Sequence, residues 1–67
     1  MKSGEVKYWN DQKGYGFIAG NDGIDYFVHY KNLLMKGHKL LNVGERVSFD
    51  SEETDRGVRA INVVVED

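Results

Sequence analysis

Turn signals at short intervals constrain the fold of this chain more than any other feature of its sequence. The segment GNDG at residues 20–23 separates two short runs rich in aromatic and β-branched residues, a pattern typical of a β-hairpin. The segments NVG at residues 42–44 and TDRG at residues 54–57 predict two further turns, and the chain contains no proline. The runs between these turns have the length of β-strands.

Five of these runs have the Val, Ile, Tyr and Phe content of strands: residues 5–10, 15–19, 25–29, 46–51 and 58–65. Residues 30–41 alternate less, and we expect a helical turn near residues 31–35. The chain of 67 residues has room for one hydrophobic core, so we expect a single domain over residues 1–67. Because closure removes exposed sheet edges, we predict an all-β, five-stranded antiparallel OB-fold barrel. An SH3-like barrel is the alternative.

Composition and charge exclude several functional classes. A net charge of −2 argues against a basic duplex-DNA binder, and the absence of cysteine excludes disulfides and thiolate metal sites. We find no long apolar stretch and no signal-peptide pattern, so a cytoplasmic protein is expected. No nucleophile, phosphate-binding loop or acid/base pair points to an enzyme. The acidic run at residues 50–55 is interpreted as a solvated hairpin loop.

Alternation of side chains along the predicted hairpin collects four rings on one face: Tyr15, Phe17, Phe27 and His29. The opposite face receives β-branched residues that suit a core. Asp25 shares the face of Phe27 and His29, and burial of these polar groups would require partners. The pattern therefore favours an aromatic face that points outward, with a core built from the aromatic residues as the alternative.

Flat rings beside Lys7 and Lys13 suit an unpaired nucleic-acid strand. Unpaired bases stack on aromatic rings with roughly 1–3 kcal/mol per base, whereas bases in a duplex stack on each other. One alternative is a protein-interaction module whose aromatic groove binds a proline-rich peptide. Another is a metal site formed by Asp25, His29 and His38, although these residues lack a compact ligand motif.

Two short motifs on these strands resemble the ribonucleoprotein motifs of the cold-shock protein family. KGYGFI at residues 13–18 is similar to the family's K-G-F-G-F-I, and YFVHY at residues 26–30 is similar to V-F-V-H-F. The flanking segments GEVKYWN (4–10), GHKLL (37–41), GERVSF (44–49) and GVRAINV (57–63) also follow the family pattern. The resemblance covers essentially the whole chain in order.

The resemblance implies an OB-fold barrel that binds single-stranded RNA and DNA, usually pyrimidine-rich, without a cofactor. It also implies an RNA chaperone that works without ATP, in the cold or stress response and in the regulation of gene expression. A monomer is expected, with a dimer left open. The residues that the resemblance assigns to nucleic-acid binding are Lys7, Tyr8, Lys13, Tyr15, Phe17, Asp25, Phe27, His29, Tyr30, His38 and Arg56, and Trp9 is included as a further candidate.

Several positions depart from the family pattern. Tyr8 and Trp9 replace a Trp-Phe pair, so Tyr8 offers a smaller ring, and Trp9 could lie in the core or on the binding face. His38 stands in place of Phe or Tyr, and Arg59 in place of Gln, which adds charge near the rim. Tyr26 replaces a core Val, so its ring needs space and its hydroxyl needs a hydrogen-bond partner.

Overall fold

The computed structural model describes residues 1–34 and 41–66. Its elements are β1 (Lys2–Asn10), β2 (Tyr15–Gly20), β3 (Asp25–His29), a 3-10 turn (Tyr30–Asn32), β4 (Arg46–Thr54) and β5 (Gly57–Val65). The five predicted strands are all present. The predicted helical turn corresponds to the short 3-10 turn in its first part, and residues 35–40 lie outside the described residues.

The five strands form a closed barrel in the order β1-β2-β3-β5-β4, which confirms the predicted fold class. Four of the five strand pairs are antiparallel, but β3 and β5 run parallel. The prediction of an entirely antiparallel barrel was therefore wrong for the pair of β3 and β5. The parallel pairing results from the path of the chain. Strand β4 lies between β3 and β5 in sequence, and β5 returns beside β3 in the same direction to close the barrel.

The hairpin turn at residues 20–23 forms as its sequence predicts. The amide N–H of Gly20 donates to the carbonyl of Ile24 at 2.8 Å, and the Asp22 carboxylate accepts from the Ile24 N–H. Gly23 has a φ of 83°, a conformation that residues with a Cβ rarely adopt. The turn fixes the pairing of β2 with β3, which places Phe17 directly opposite Phe27.

The barrel is filled by apolar side chains from all five strands and from the connection between β3 and β4. Val28 and Ile18 on the hairpin are fully buried, as alternation predicts for the face opposite the rings. The buried core residues are Val6, Ile18, Tyr26, Val28, Leu33, Leu41, Val47, Phe49, Ala60 and Val63. The aromatic residues Tyr15, Phe17 and Phe27 are not among them, so the alternative of an aromatic core is wrong.

The acidic run at residues 50–55 is not a loop. Strand β4 continues to Thr54, with Glu52 opposite Arg59 and Glu53 opposite Val58 on β5. The turn itself consists of Asp55 and Arg56, followed by Gly57 with a φ of 117°. The loop prediction failed because it counted charge but not the cross-strand partners, and a basic residue opposite an acidic one stabilises a strand pair.

Strand β5 contains an irregularity that alternation does not predict. The register between β4 and β5 shifts between Ser48 and Asp50, and Asn62 on the facing segment has a φ of 52°. An extra residue of this kind inverts the inward and outward positions that follow it. Val63 is consequently buried, and Val64, which strict alternation from buried Ala60 would direct inward, is exposed.

The seam between β1 and β4 is closed by a side-chain cluster at the end of β5. The hydroxyls of Ser48 and Ser3 donate to Glu66 Oε2 at 2.6 and 3.1 Å. These hydrogen bonds hold the pKa of the Glu66 carboxyl below its ordinary value. The cluster links β1, β4 and the residue that follows β5, so it stabilises the closed form of the sheet.

Tyr26 finds both the space and the partner that its position requires. Its ring is buried against Phe49, with ring centroids 5.0 Å apart in an edge arrangement. Its hydroxyl donates to Asp22 Oδ2 at 2.6 Å, and Lys2 Nζ lies 3.6 Å from the same oxygen. The bond from Tyr26 lowers the pKa of the Asp22 carboxyl and raises the pKa of the Tyr26 hydroxyl. The hydrogen bond thereby connects Tyr26 in the core to the hairpin turn.

Replacing Tyr26 by Phe should lower the midpoint of thermal unfolding at pH 7, because it removes the bond to Asp22 and leaves the ring in place. We expect a shift of roughly 4–8 °C, the effect of one hydrogen bond in a domain of this size. Tyr15→Phe is the matched control, since the Tyr15 hydroxyl makes no hydrogen bond within the described residues. Equal midpoints for wild type and Tyr26→Phe would contradict this assignment.

The difference between wild type and Tyr26→Phe should also depend on pH. A carboxyl whose pKa is lowered in the folded state contributes stability above its unfolded pKa, and this contribution is lost as the pH falls through the folded pKa. The unfolded value for Asp22 is close to 3.8. Thermal unfolding should therefore show the full difference at pH 5–7 and a shrinking one below about pH 4. A difference that does not change with pH would rule out the carboxylate as the acceptor.

Candidate nucleic-acid interface

A β-bulge in β1 decides which side chains reach the outer surface of the sheet. Val6 pairs with Ile18 and Tyr8 pairs with Phe17, so Lys7 is an extra residue between two regular rungs. Strict alternation after buried Val6 would direct Lys7 outward and Tyr8 inward. With the bulge, both Lys7 and Tyr8 are exposed. The strand thus contributes a cation and a ring to the same surface.

Three rings lie in one row across β1, β2 and β3. Tyr8 is the register partner of Phe17, and Phe17 is the register partner of Phe27. The rings of Phe17 and Phe27 have centroids 5.8 Å apart and meet edge to face. Tyr8 and Phe17 are 44% and 37% exposed, although apolar rings are usually buried. The row is an aromatic surface open to solvent.

A second group of rings lies beside this row. Tyr15 is the register partner of His29, and its ring lies 5.6 Å from that of Phe27. Tyr30 follows β3, is exposed, and has its ring 4.5 Å from that of His29. Together the two groups form what we call the aromatic face: Tyr8, Tyr15, Phe17, Phe27, His29 and Tyr30.

Gly14 and Gly16 allow the backbone to approach the aromatic residues closely. A Cβ at Gly14 would lie 2.6 Å from the ring of Tyr30, and one at Gly16 would collide with the Tyr8 carbonyl oxygen. Gly14 also has a φ of 73°, and its carbonyl accepts the Tyr30 N–H at 2.8 Å. The glycines of the KGYGFI motif therefore position Tyr30 and Tyr8.

The orientation of the His29 ring is fixed by its own backbone surroundings. Nδ1 of His29 accepts the N–H of Lys31 at 3.2 Å and caps the 3-10 turn. A neutral ring with Nδ1 as acceptor carries its proton on Nε2. His29 therefore offers one side of its ring and its Nε2–H donor at the edge of the aromatic face.

Four cations lie around the aromatic face, and they differ in their partners. Lys7 Nζ donates to Asp25 Oδ2 at 2.7 Å, with both side chains about half exposed. Lys13, Lys31 and Arg56 are exposed, and no ion pair is found for them within the described residues. The surface is therefore cationic at its edges, while Asp25 beside Lys7 offers carboxylate acceptors.

Trp9 is half-buried and packs against the hydrophobic core. Its ring approaches Gly16, its register partner on β2. The indole N–H is buried without a hydrogen-bond partner in the described part of the chain. Trp9 therefore packs on the core side of β1, and its assignment to nucleic-acid binding stays a prediction.

A concavity of about 730 Å³ adjoins the row of rings on the side of β5. Its walls are Phe17 and Phe27 on one side and the turn with Arg56 and the start of β5 on the other; Asp25 and Arg59 also line it. Its volume is in the range of pockets that hold small organic ligands, roughly 300–1,000 Å³. A nucleobase is small enough to enter.

The sequence also raised His38 as a binding residue and a metal site as an alternative. His38 is outside the described residues, so the structure does not place it beside the aromatic face. Within residues 1–34 and 41–66, no three histidine, cysteine or acidic side chains come together as candidate metal ligands. In the same residues, no helix is long and apolar enough to span a membrane.

Arg59 was not among the residues predicted from the sequence to form the site, although it lies on the wall of the concavity. A signal for it was available, because Arg59 stands two positions after Gly57 where the family pattern has Gln. The sequence pattern does not reveal the parallel pairing of β5 with β3. This pairing makes Arg59 the direct neighbour of Phe27.

Comparisons with known proteins agree with this geometry. The family model described as the "Cold-shock" DNA-binding domain matches residues 2–66. Cold shock protein 1 of Lactiplantibacillus plantarum is 53% identical over 64 residues, which cover 96% of this chain and 97% of that protein. Cold shock protein CspC of Bacillus subtilis is 46% identical over 63 residues, covering 94% of this chain and 96% of that protein.

A solved structure described as "drosophila Unr CSD456" superposes with a TM-score of 0.81 at 16% sequence identity. The match covers 98% of this chain and 26% of that longer chain, so it supports the barrel fold alone. The match of the family model over residues 2–66 and the identities near 50% are decisive for the family. The chain belongs to the cold-shock domain family, a family of nucleic-acid-binding domains.

Proposed function

We propose that this protein binds single-stranded RNA and DNA by stacking unpaired bases on the aromatic face. The observation that carries the proposal is the row of Tyr8, Phe17 and Phe27, whose rings lie side by side on three strands and outside the core. Such a row is costly to leave in water, and exposed apolar surface of this kind marks a binding site. An unpaired strand provides flat apolar rings in series, which is the matching ligand.

The charges around the aromatic face favour a strand over a duplex. A duplex binder gains most of its affinity by neutralising phosphates, whereas this chain carries a net charge of −2. Lys7, Lys13, Lys31 and Arg56 can hold a few phosphates at the edges. Stacking then supplies the larger share of the free energy of binding, with roughly 1–3 kcal/mol for each stacked base.

Polar groups at the edges of the rings offer contacts to bases. The Nε2 proton of His29 can donate to a carbonyl oxygen of uracil or thymine, and the Asp25 carboxylate can accept from a base amino or imino group. These contacts and the small size of single-ring bases are the basis for proposing a preference for pyrimidine-rich strands. The monomeric state and the cytoplasmic location stay predictions.

Binding of this kind leads to an RNA chaperone activity without ATP. A protein that binds the unpaired state and not the paired state shifts the equilibrium toward the unpaired state by mass action. Weak RNA hairpins become more stable in the cold, so this activity is most useful at low temperature. We therefore propose a role in the cold or stress response and in the control of gene expression through RNA structure.

A peptide-binding module is the second candidate for an aromatic surface on a small barrel. A titration followed by the fluorescence of Trp9, which packs beside the aromatic face, separates the two. We expect saturable binding of single-stranded oligo-dT at low salt and much weaker binding of the dT·dA duplex and of a proline-rich peptide. Failure of oligo-dT to bind, or tighter binding of the duplex or the peptide, would contradict the proposed function.

Replacing Phe27 by Ala should weaken oligo-dT binding by about 1–3 kcal/mol, because it removes the central ring of the row. Phe27 is not part of the hydrophobic core, so the variant should stay folded. Val64→Ala is the control: Val64 is 40% exposed and pairs with Ser48 on β4, a strand that carries none of the rings, so its truncation should leave the affinity unchanged. A folded Phe27→Ala variant with wild-type affinity would show that the row is not the working surface.

The affinity for oligo-dT should depend only weakly on salt. Four cations are available for phosphates besides Arg59, which is paired with Glu52. At roughly −0.7 per phosphate on a single strand, the slope of log K against log salt concentration should therefore be no steeper than about −3. Binding constants measured between 50 and about 300 mM salt would provide the slope. A slope as steep as that of proteins with 6–10 phosphate contacts, about −4 to −7, would show that phosphates and not rings dominate.

A further inference from the structure

Arg59 extends the row of rings onto a fourth strand. The parallel pairing of β3 with β5 makes Arg59 the register partner of Phe27, as Phe27 is of Phe17 and Phe17 of Tyr8. The side chain of Arg59 is 45% exposed and lines the same concavity as Phe17 and Phe27. A base stacked on Phe27 would therefore have its edge beside the guanidinium.

Glu52 holds that guanidinium in place. It is the register partner of Arg59 on β4; its Oε1 accepts a hydrogen bond from Nε of Arg59 and forms an ion pair with Nη2. A guanidinium has five N–H donors in a rigid planar fork. The contact with Glu52 occupies the Nε side, so the two terminal nitrogens keep donors that can point in parallel toward a ligand.

The negative charge of Glu52 determines which ligand groups the guanidinium of Arg59 can bind. The carboxylate of Glu52 cancels most of the field of Arg59, which weakens its attraction for a phosphate. The N–H donors that are not used by Glu52 keep their directional hydrogen-bonding capacity. A neutralised, pre-oriented guanidinium is thus a poor phosphate anchor and a good partner for a base edge with two adjacent acceptors.

Guanine is the purine with that edge. It presents O6 and N7 as adjacent acceptors, whereas adenine presents an N6 amino donor beside N7, which would face the donors of arginine. Thymine and uracil offer one acceptor, O4, on the corresponding edge. Unpaired cytosine offers two adjacent acceptors, O2 and N3, on its Watson–Crick edge, so dC at the same position is the competitor that the test includes. Asp25 lines the same concavity and is an acceptor for the amino group that guanine carries on its opposite side.

We propose that Arg59 is a specificity-determining residue that selects guanine at the position stacked on Phe27, with Glu52 as its positioning residue. This inference rests on the proposed function and sharpens it, because it adds one guanine-selective position to a surface that otherwise accepts pyrimidines.

The test uses heptathymidylate and seven variants in which one dT is replaced in turn by dG, followed by dA and dC at the preferred position. We expect wild-type protein to bind one dG-containing heptamer roughly 5- to 150-fold more tightly than its dA counterpart, the discrimination of one bidentate arginine contact. Replacing that dG by 7-deazaguanine, which lacks N7, should remove most of the advantage. Arg59→Gln, which installs the residue of the family pattern, should remove the dG preference and make the 7-deaza substitution silent.

Two further variants separate a base contact from charge alone. Arg59→Lys keeps the charge but lacks the fork, so it should lose the dG preference as Arg59→Gln does. Glu52→Gln should reduce the dG preference while the slope of affinity against salt becomes steeper, because the guanidinium is then free to attract phosphates. Arg46→Gln, on β4 beside Glu5, is the charge-matched control and should keep the preference.

The outcomes distinguish this inference from the proposed function. If wild-type protein binds heptathymidylate but shows no dG preference at any position, Arg59 does not select guanine, and the proposed function stands. If Arg59→Gln weakens all heptamers equally and lowers the salt slope by about 0.7, Arg59 contacts a phosphate and the inference is overturned. If heptathymidylate itself is not bound, the proposed function fails first. Thermal unfolding of each variant verifies that it is folded.

Discussion

The bulge at Lys7 is the constraint on which the aromatic face depends. It shifts the register of β1 against β2 by one residue, so that buried Val6 is followed by two outward residues. Without the shift, Tyr8 would compete with the core for space and the row would begin at Phe17. With it, the pairing of the strands places Tyr8, Phe17 and Phe27 in line, and the rings of Phe17 and Phe27 also meet edge to face. The aromatic face is therefore a property of the barrel backbone.

Closure of the barrel through a parallel β3·β5 pair has a second consequence. It joins a strand of rings to a strand with charged residues, so that Arg59 lies beside Phe27. The antiparallel β4·β5 hairpin then places Glu52 beside Arg59. Aromatic rings, a guanidinium and its carboxylate partner thus follow one another along a single line across the sheet. Glu52, which contributes to the negative net charge, also orients the side chain of Arg59.

Much of this architecture could be predicted from the sequence. The glycine and Asn/Asp turns located the five strands, and alternation in the hairpin separated Ile18 and Val28 from the rings. Periodicity failed where an extra residue changes the register: it could not place Tyr8 outward or Val64 outside the core. It also failed at the acidic run, since a strand partner such as Arg59 becomes visible only when the pairing is known. The hydrogen bond between Tyr26 and Asp22 needed the geometry of the turn.

The central claim is that unpaired bases lie along one line of the outer surface, from Tyr8 through Phe17 and Phe27 to Arg59. Chemical-shift mapping of the amide and side-chain signals during titration with a short oligo-dT tests it most directly. The account predicts large shifts on the aromatic face, in the β4–β5 turn and at the Arg59 side chain, with small shifts at Val43 and around Glu66. Shifts concentrated at Val43 and Glu66, with a silent aromatic face, would contradict it.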